Sequence, residues 1–223
     1  MKAEYGGIFG IKKPSGPTSH DIVDRLREIT GINKIGHAGT LDPIAEGVLV
    51  VAIGRKFTKR ISKYQNSEKD YRAVIRLNKT SDTDDRAGEI KPVKIEKTPD
   101  IEKIKDKLNE FIGTIQQTPP IYSAVKINGI PSYKLARRGK TPNLSPRKVV
   151  IKEIIITDYQ FPDLSLFITS GPGVYVRSIA RDLGKKLKTG GILFELIRIR
   201  VGKFTLKNSY SLREFKSIRP HMN

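Results

Sequence analysis

The chain has 223 residues and a formal net charge of +19, from 42 Lys and Arg against 23 Asp and Glu. Hydrophobic residues make up 37%, with Phe and Tyr both present, which excludes a disordered chain and allows one domain, or one domain with a small appendage. Cysteine is absent, so a disulfide scaffold, a thiolate zinc site and a Cys nucleophile are excluded. So basic a balance points to a polyanionic partner, nucleic acid foremost.

The first residues, Met1 to Gly7, hold no apolar signal region, and the longest apolar run, Val48 to Ile53, is too short to cross a bilayer. The expectation is a cytoplasmic protein with no membrane partner. Thr18 or Ser19 caps a helix through about Ile29. Thr18 and Asp21 have capping-box spacing, and Ile22, Val23, Leu26 and Ile29 share one face. Gly47 to Gly54 is an apolar run between glycines and reads as a buried strand. Tyr71 to Leu77 alternates, with Tyr71, Ala73, Ile75 and Leu77 on one face, and reads as a half-buried strand.

Thr98-Pro99 predicts a helix start with Pro at its first position. Ile101, Ile104, Leu108 and Phe111 form its stripe and Gly113 ends it. Val149 to Tyr159 and Leu164 to Ser170 read as strands joined at Pro162-Asp163. Ser178 to Leu187 reads as a helix, and Leu196 to Phe204 as a last strand. Few helices among many hairpin-like strands predict an α+β fold with a largely antiparallel sheet.

Between Pro119 and Arg147 the chain carries Lys126, Lys134, Arg137, Arg138, Lys140 and Arg147, interleaved with Tyr122 and Tyr133 and five prolines, and no acid. This pattern suits a loop or short helix on a phosphate backbone, and equally describes a solvated insertion, with RNA contact favoured.

The densest chemical candidate is Gly36-His37-Ala38-Gly39-Thr40-Leu41-Asp42-Pro43, a Gly-rich loop feeding the strand from Val48. Pro43 holds Asp42 away from helical backbone, which can present one carboxylate at a sheet rim. A lone loop Asp also serves simply as a turn residue. Tyr175 and Arg177 lie two apart on an apparent strand end and so would share a face. An Arg beside a buried Asp keeps it ionised and oriented; an edge-strand surface Arg is the plainer reading. Ser81-Asp82-Thr83-Asp84-Asp85 begins like a calcium loop but lacks the later Gly and Glu. An acidic turn, or an acid paired with Arg or Lys, fits better than a metal site. His20, His37 and His221 are the histidines, and no Ser-His-Asp order is evident.

Five segments in order resemble the TruB family of pseudouridine synthases, which act on tRNA, from about Lys13 to Phe204. They are Lys13-Pro14-Ser15-Gly16-Pro17-Thr18-Ser19-His20-Asp21; the Gly36 to Pro43 loop with Ala45 and Gly47-Val48-Leu49; Lys69-Asp70-Tyr71-Arg72-Ala73 with Asp82 to Asp85 and Gly88; Gln117 to Lys126; and Gly173-Val174-Tyr175-Val176-Arg177-Ser178-Ile179 with Asp182-Leu183-Gly184. Ile197 stands where that family often has Arg.

The resemblance implies a pseudouridine synthase fold, an α+β mixed sheet with flanking helices and a basic thumb. It implies a catalytic domain over 1–208, with the thumb at about 119–147, and a short tail over 209–223 in place of an RNA-binding module of the PUA type. It implies isomerisation of uridine 55 in the T-loop of tRNA by base flipping. Asp42 would be the nucleophilic aspartate, Tyr71 would stack on the flipped uracil, and Arg177 would pair with Asp42, with Asp85 in the network around that Arg. Tyr175 and Leu196 would line the base pocket, His37 would fill the space the base leaves, and Lys13 would support the loop. Lys126, Arg137 and Arg138 lie in the RNA-gripping thumb. No metal and no cofactor are expected, and a monomer is the default. A synthase of other RNA specificity, a non-catalytic RNA-binding protein and a metal-dependent nuclease built on Asp82, Asp84 and Asp85 are the rivals.

Overall fold

The computed structural model describes residues 6–218, which leaves His221 and the end of the 209–223 tail outside the described residues. The chain opens with β1 (Gly7–Lys13), α1 (Ser19–Thr30), β2 (Ile35–His37), β3 (Glu46–Ile53), α2 (Arg55–Thr58) and α3 (Ser62–Gln65). It continues with β4 (Lys69–Leu77), β5 (Lys79–Ser81), β6 (Ile90–Pro92), α4 (Ile101–Asn109) and β7 (Gly113–Gln117). β8 (Lys126–Ile127), β9 (Ile130–Pro131), α5 (Ser132–Ala136), β10 (Arg147–Gln160) and β11 (Asp163–Ser170) follow. The last elements are α6 (Val176–Leu187), β12 (Gly191–Val201), β13 (Phe204–Thr205) and α7 (Leu212–Ile218). Strands and helices of this kind, paired mostly antiparallel, make an α+β fold, as the hydropathy pattern predicts.

The chain divides into two units, the first formed by 6–71 with 196–218 and the second by 72–195. In the first, β3 is the central strand. β1 runs antiparallel to it from Gly7 opposite Ile53 to Lys13 opposite Gly47, β2 pairs antiparallel through His37 opposite Val51, and β12 pairs parallel through Arg198 opposite Gly47. Every residue of β3 after Glu46 is buried, which is why it reads as a continuous apolar run. Ala38, Val48, Val50, Val201 and Phe204 form a core cluster there. α1 has the expected capping box: Asp21 N–H donates to the Thr18 hydroxyl (3.1 Å) and Thr18 N–H donates to the Asp21 carboxylate (2.7 Å).

In the second unit, β10 lies between β7 and β11, antiparallel to both. β11 alternates cleanly, burying Leu164, Leu166, Ile168 and Ser170. α4 begins two residues later than Pro99 predicts. Asp100 is its cap, accepting from Lys103 N–H at 2.8 Å, while Pro99 stays outside and its carbonyl accepts from the Tyr159 hydroxyl (2.7 Å). Ile104, Leu108 and Phe111 face inward, but Ile101 at the cap is exposed, and Gly113 opens β7 rather than capping the helix.

Two expectations about the later chain are corrected. Tyr175 and Arg177 are not on a strand: Tyr175 caps α6 and Arg177 sits in its first turn, so they do not share a strand face. The strand predicted over Leu196 to Phe204 is β12, which starts at Gly191 and stops at Val201, with Phe204 in the separate strand β13 and α7 after it. The missed start, around Phe194, is held by the Arg76 guanidinium, 3.5 Å from the ring centroid.

Candidate active site

The loop from Gly36 to Pro43 leaves β2 and enters β3. Ala38 N–H donates to Val50 O (2.8 Å), which keeps the loop on the sheet as far as Ala38. Ser19, at the start of α1, grips it from the other side: its hydroxyl donates to Leu41 O (2.9 Å) and accepts from Leu41 N–H (2.8 Å). Asp42 then heads a tight turn. Ala45 N–H donates to Asp42 O (3.0 Å), Pro43 takes the next position, and Gly16 N–H donates to Pro43 O (2.8 Å). Asp42 is therefore a turn residue and a presented carboxylate at once; it is half-buried.

Arg198 braces the same loop from β12. It is 2% exposed, and its guanidinium donates to Val48 O (2.8 Å), Thr40 O (3.3 Å) and Gly39 O (3.0 Å). Three backbone carbonyls thus satisfy a buried cation, and the cation fixes the loop. Its charge also acts on the buried Tyr71 phenol and on Asp42. Gly47 makes this approach possible. Its φ is +107° and a Cβ there would overlap the Arg198 carbonyl.

Lys13 and Lys69 add two more buried cations to this unit. Lys13, 1% exposed, donates to Pro14 O (2.9 Å) and Pro43 O (3.3 Å), directly behind the Asp42 turn. Burial pushes its ammonium down to about 8, opposed by the charges of Asp42 and Glu46. Lys69 donates to Gln65 O (2.9 Å) and Ser67 O (2.8 Å), and burial pushes it down to about 8 as well. Burial pushes the Tyr71 phenol up, so it stays protonated and acts as an aromatic surface with a donor. His37 is lowered by burial, and its buried Nδ1 finds no hydrogen-bond partner among the described residues. Leu196 is buried on the strand face that carries Arg198.

The second unit gathers the other charged candidates. Arg177 is buried beside Asp85 (Nε to Oδ2 3.7 Å) and donates to Thr83 O and Tyr122 O, both at 3.0 Å. Asp85 accepts from the Thr83 hydroxyl (2.6 Å) and Ala87 N–H (2.9 Å). Arg181, one helical turn on, binds Asp84 (2.9 Å), Asp182 (2.8 Å) and Thr118 O (2.9 Å). In the acidic turn Asp84 and Asp85 are thus engaged by arginine and Asp82 accepts from Glu89 N–H (2.8 Å), and no metal-binding group of His, Asp or Glu is found among the described residues. Tyr175 is fixed through its backbone: the Gln117 amide accepts from Tyr175 N–H (2.8 Å) and donates to Tyr175 O (3.1 Å).

The 119–147 segment is a miniature fold. Lys126 and Ile127 pair with Ile130 and Pro131 around Asn128-Gly129, both at positive φ, the signature of a tight hairpin turn. α5 follows, and Ser132 N–H donates to Val125 O (2.7 Å). Lys126, Arg137 and Arg138 are all exposed, with the Arg137 guanidinium 5.6 Å from the Tyr133 ring centroid.

Sequence reading missed Arg198 and Lys69. The available signal for Arg198 was its place two residues from Leu196 on the same face of a largely apolar strand. The signal for Lys69 was its place, two residues before Tyr71, on the strand face that Tyr71 buries.

Comparison with known proteins places these features in a class. The family model described as "TruB family pseudouridylate synthase (N terminal domain)" matches residues 27–176. The chain is 41% identical over 218 residues to tRNA pseudouridine synthase B of Trichormus variabilis, covering 95% of this chain and 72% of that protein. It is 43% identical over 215 residues to tRNA pseudouridine synthase B of Caldanaerobacter subterraneus subsp. tengcongensis, covering 94% and 74%. A chain in a solved Cbf5-Nop10-Gar1 complex matches with a TM-score of 0.72 at 27% identity, over 96% of this chain and 54% of that one. A chain of an H/ACA RNP bound to a substrate RNA containing 2'-deoxyuridine gives 0.71 at 25%, over 96% and 53%. This chain thus spans about half the length of those two structural matches. The fold is that of the pseudouridine synthases, as the resemblance implied. Within that class the chain belongs to the TruB family. Its activity is the isomerisation of uridine to pseudouridine in tRNA. Among the described residues, no helix is long and apolar enough to cross a membrane.

Proposed function

We propose that the target is uridine 55 of the tRNA T-loop and that Asp42 is the carboxylate on which the reaction turns. The observation that carries this reading is the Asp42 turn itself, held by Ser19 and Arg198 and lying within electrostatic reach of Lys13, Arg198 and the buried Tyr71. Pseudouridine forms when the bond from C1′ to uracil N1 breaks, a bond from C1′ to C5 forms and the C5 proton is lost to N1. Atoms balance within the nucleotide, so neither redox cofactor nor metal has a step to perform. A carboxylate beside the ribose serves as nucleophile or as base toward the sugar.

The remaining roles follow from the same reading. The uridine is flipped from its loop at a cost of a few kcal/mol. The rings of Tyr71 and Tyr175 and the side chain of Leu196 hold the detached uracil while it turns. His37 fills the gap left in the RNA. Arg177, steadied by Asp85, supplies the guanidinium that keeps Asp42 ionised and oriented. Lys126, Arg137 and Arg138 grip the T-arm backbone as a thumb. The enzyme acts as a monomer in the cytoplasm.

The test is Asp42→Asn on uridine-containing tRNA. Turnover is expected to fall by on the order of 10³-fold or more, with pseudouridine mapped to position 55 for the unsubstituted enzyme alone. Retained pseudouridine formation rejects Asp42, and modification mapped elsewhere rejects the T-loop.

A further inference from the structure

The second unit holds a buried amide whose hydrogen bonds reach the start of α6. Gln117 ends β7 and is 3% exposed. Both ends of its side chain are spent on one residue: it accepts from Tyr175 N–H (2.8 Å) and donates to Tyr175 O (3.1 Å). Burying a primary amide is costly unless its donor and acceptor are matched, and matching both on the backbone of one residue fixes the two peptide planes of that residue. Tyr175 stands at φ −107° and ψ 112°, and its own side chain makes no capping hydrogen bond to α6. Tyr175 O also accepts from Ser178 N–H (3.1 Å) and Ile179 N–H (3.3 Å), the first bonds of the helix. The Gln117 amide therefore sets the residue from which α6 starts.

The chain beyond Gln117 lies along the same helix. Thr118 O accepts from the Ser178 hydroxyl (2.8 Å) and from the Arg181 guanidinium (2.9 Å), and Tyr122 O accepts from Arg177 (3.0 Å). Pro119 and Pro120, both buried, stiffen the span between. The root of the 119–147 segment and the helical turn that carries Tyr175 and Arg177 are thus joined at Gln117. An α-helix advances roughly 100° per residue, so a start displaced by one residue would swing Arg177 away from Thr83 O, Tyr122 O and Asp85. We infer that Gln117 is a positioning residue of the isomerisation. Acting through the Tyr175 peptide groups, it sets the direction of the Tyr175 ring and of the Arg177 guanidinium. The inference rests on the roles proposed above for those two side chains.

The test separates positioning from folding. Gln117→Met keeps the length of the side chain and removes both hydrogen bonds, while Gln117→Glu keeps the acceptor for Tyr175 N–H alone. Tyr159→Phe removes a side-chain hydrogen bond to backbone in the same unit, that to Pro99 O, and is the control for lost stability. For each variant kcat and KM on uridine-containing tRNA, tRNA affinity and the denaturant midpoint are measured. Q117M should lower kcat roughly tenfold or more, with KM and affinity within about twofold of the parent. Q117E should recover part of that loss, and Y159F should lower the midpoint with kcat unchanged. Combined with R177K, Q117M should cost less than its own fold-loss, because both changes displace the same guanidinium. Unchanged kcat in Q117M, an equal fall of kcat in Y159F, or fully multiplicative losses with R177K overturns the inference and leaves the roles of Tyr175 and Arg177 standing. Normal turnover in both R177K and Tyr175→Leu removes those roles, and the inference with them.

Discussion

Two arginines in this protein, Arg198 buried and Arg181 partly buried, solve the same problem in opposite ways. Arg181, in the second unit, is matched by the carboxylates of Asp84 and Asp182 as well as by Thr118 O. Arg198, in the first, donates to three backbone carbonyls, those of Gly39, Thr40 and Val48. A carboxylate partner cancels charge locally and ties two elements together. Carbonyl partners satisfy the donors and leave most of the charge in place. In these hydrogen bonds the Arg198 charge beside the Asp42 turn is therefore not cancelled by a bonded carboxylate, whereas that of Arg181 is.

Replacing Arg198 tests that contrast most severely. Arg198→Met would leave the buried Val48 O and the partly buried Gly39 O without the guanidinium donor and release the Thr40 carbonyl, and should cost on the order of 3 kcal/mol, read as a lower denaturant midpoint. Arg198→Lys, which restores a cation but not the fork, should recover part of that stability and little of the turnover. Full recovery of both would mean that charge alone matters and that the carbonyl brace is incidental.

Arg177 sharpens the comparison from the other side. It combines an acid, Asp85, with two carbonyls, and one ammonium cannot span Thr83 O and Tyr122 O as the guanidinium does. Arg177→Lys should reduce turnover by about 10²-fold with a smaller loss of stability than Arg198→Met. Near-normal turnover would remove Arg177 from the machinery.

The smallest effect is one of pH. Lys13 and Lys69 are held near 8 by burial, below the 10.5 of a free lysine. In the window from about 8 to 10.5 the unfolded chain binds more protons at these sites, so their contribution makes stability rise with pH there, and it is flat below 8. Lys69→Met should lose part of that rise. Parallel stability curves for variant and parent between pH 8 and 10.5 would show that Lys69 is solvated like a surface residue.

Much of this was written plainly in the chain. The α1 capping box, the buried run of β3, the alternation of β4 and the Asp42 loop depend on local spacing, and local spacing is what a sequence displays. Arg198 was hidden because an arginine on an alternating strand reads as solvent-facing, and its acceptors come from residues some 150 positions away. The Tyr175–Arg177 segment read as a strand because Val174-Tyr175-Val176 favours extended backbone. The Gln117 side chain bonds Tyr175 on both backbone groups, as a neighbouring strand would, and the helix starts at the next residue. Asp100 took the cap from Thr98-Pro99 because a carboxylate two residues on was the better acceptor for Lys103 N–H.

The contact between Gly47 and the Arg198 backbone has a practical consequence for protein engineering. The loop that presents Asp42 is not a portable cassette. A transplant of residues 36–47 into another scaffold would arrive without the strand that clasps it, and any library randomised at position 47 should return a single amino acid. A working graft has to carry the 196–201 strand along with the loop, as one inseparable piece.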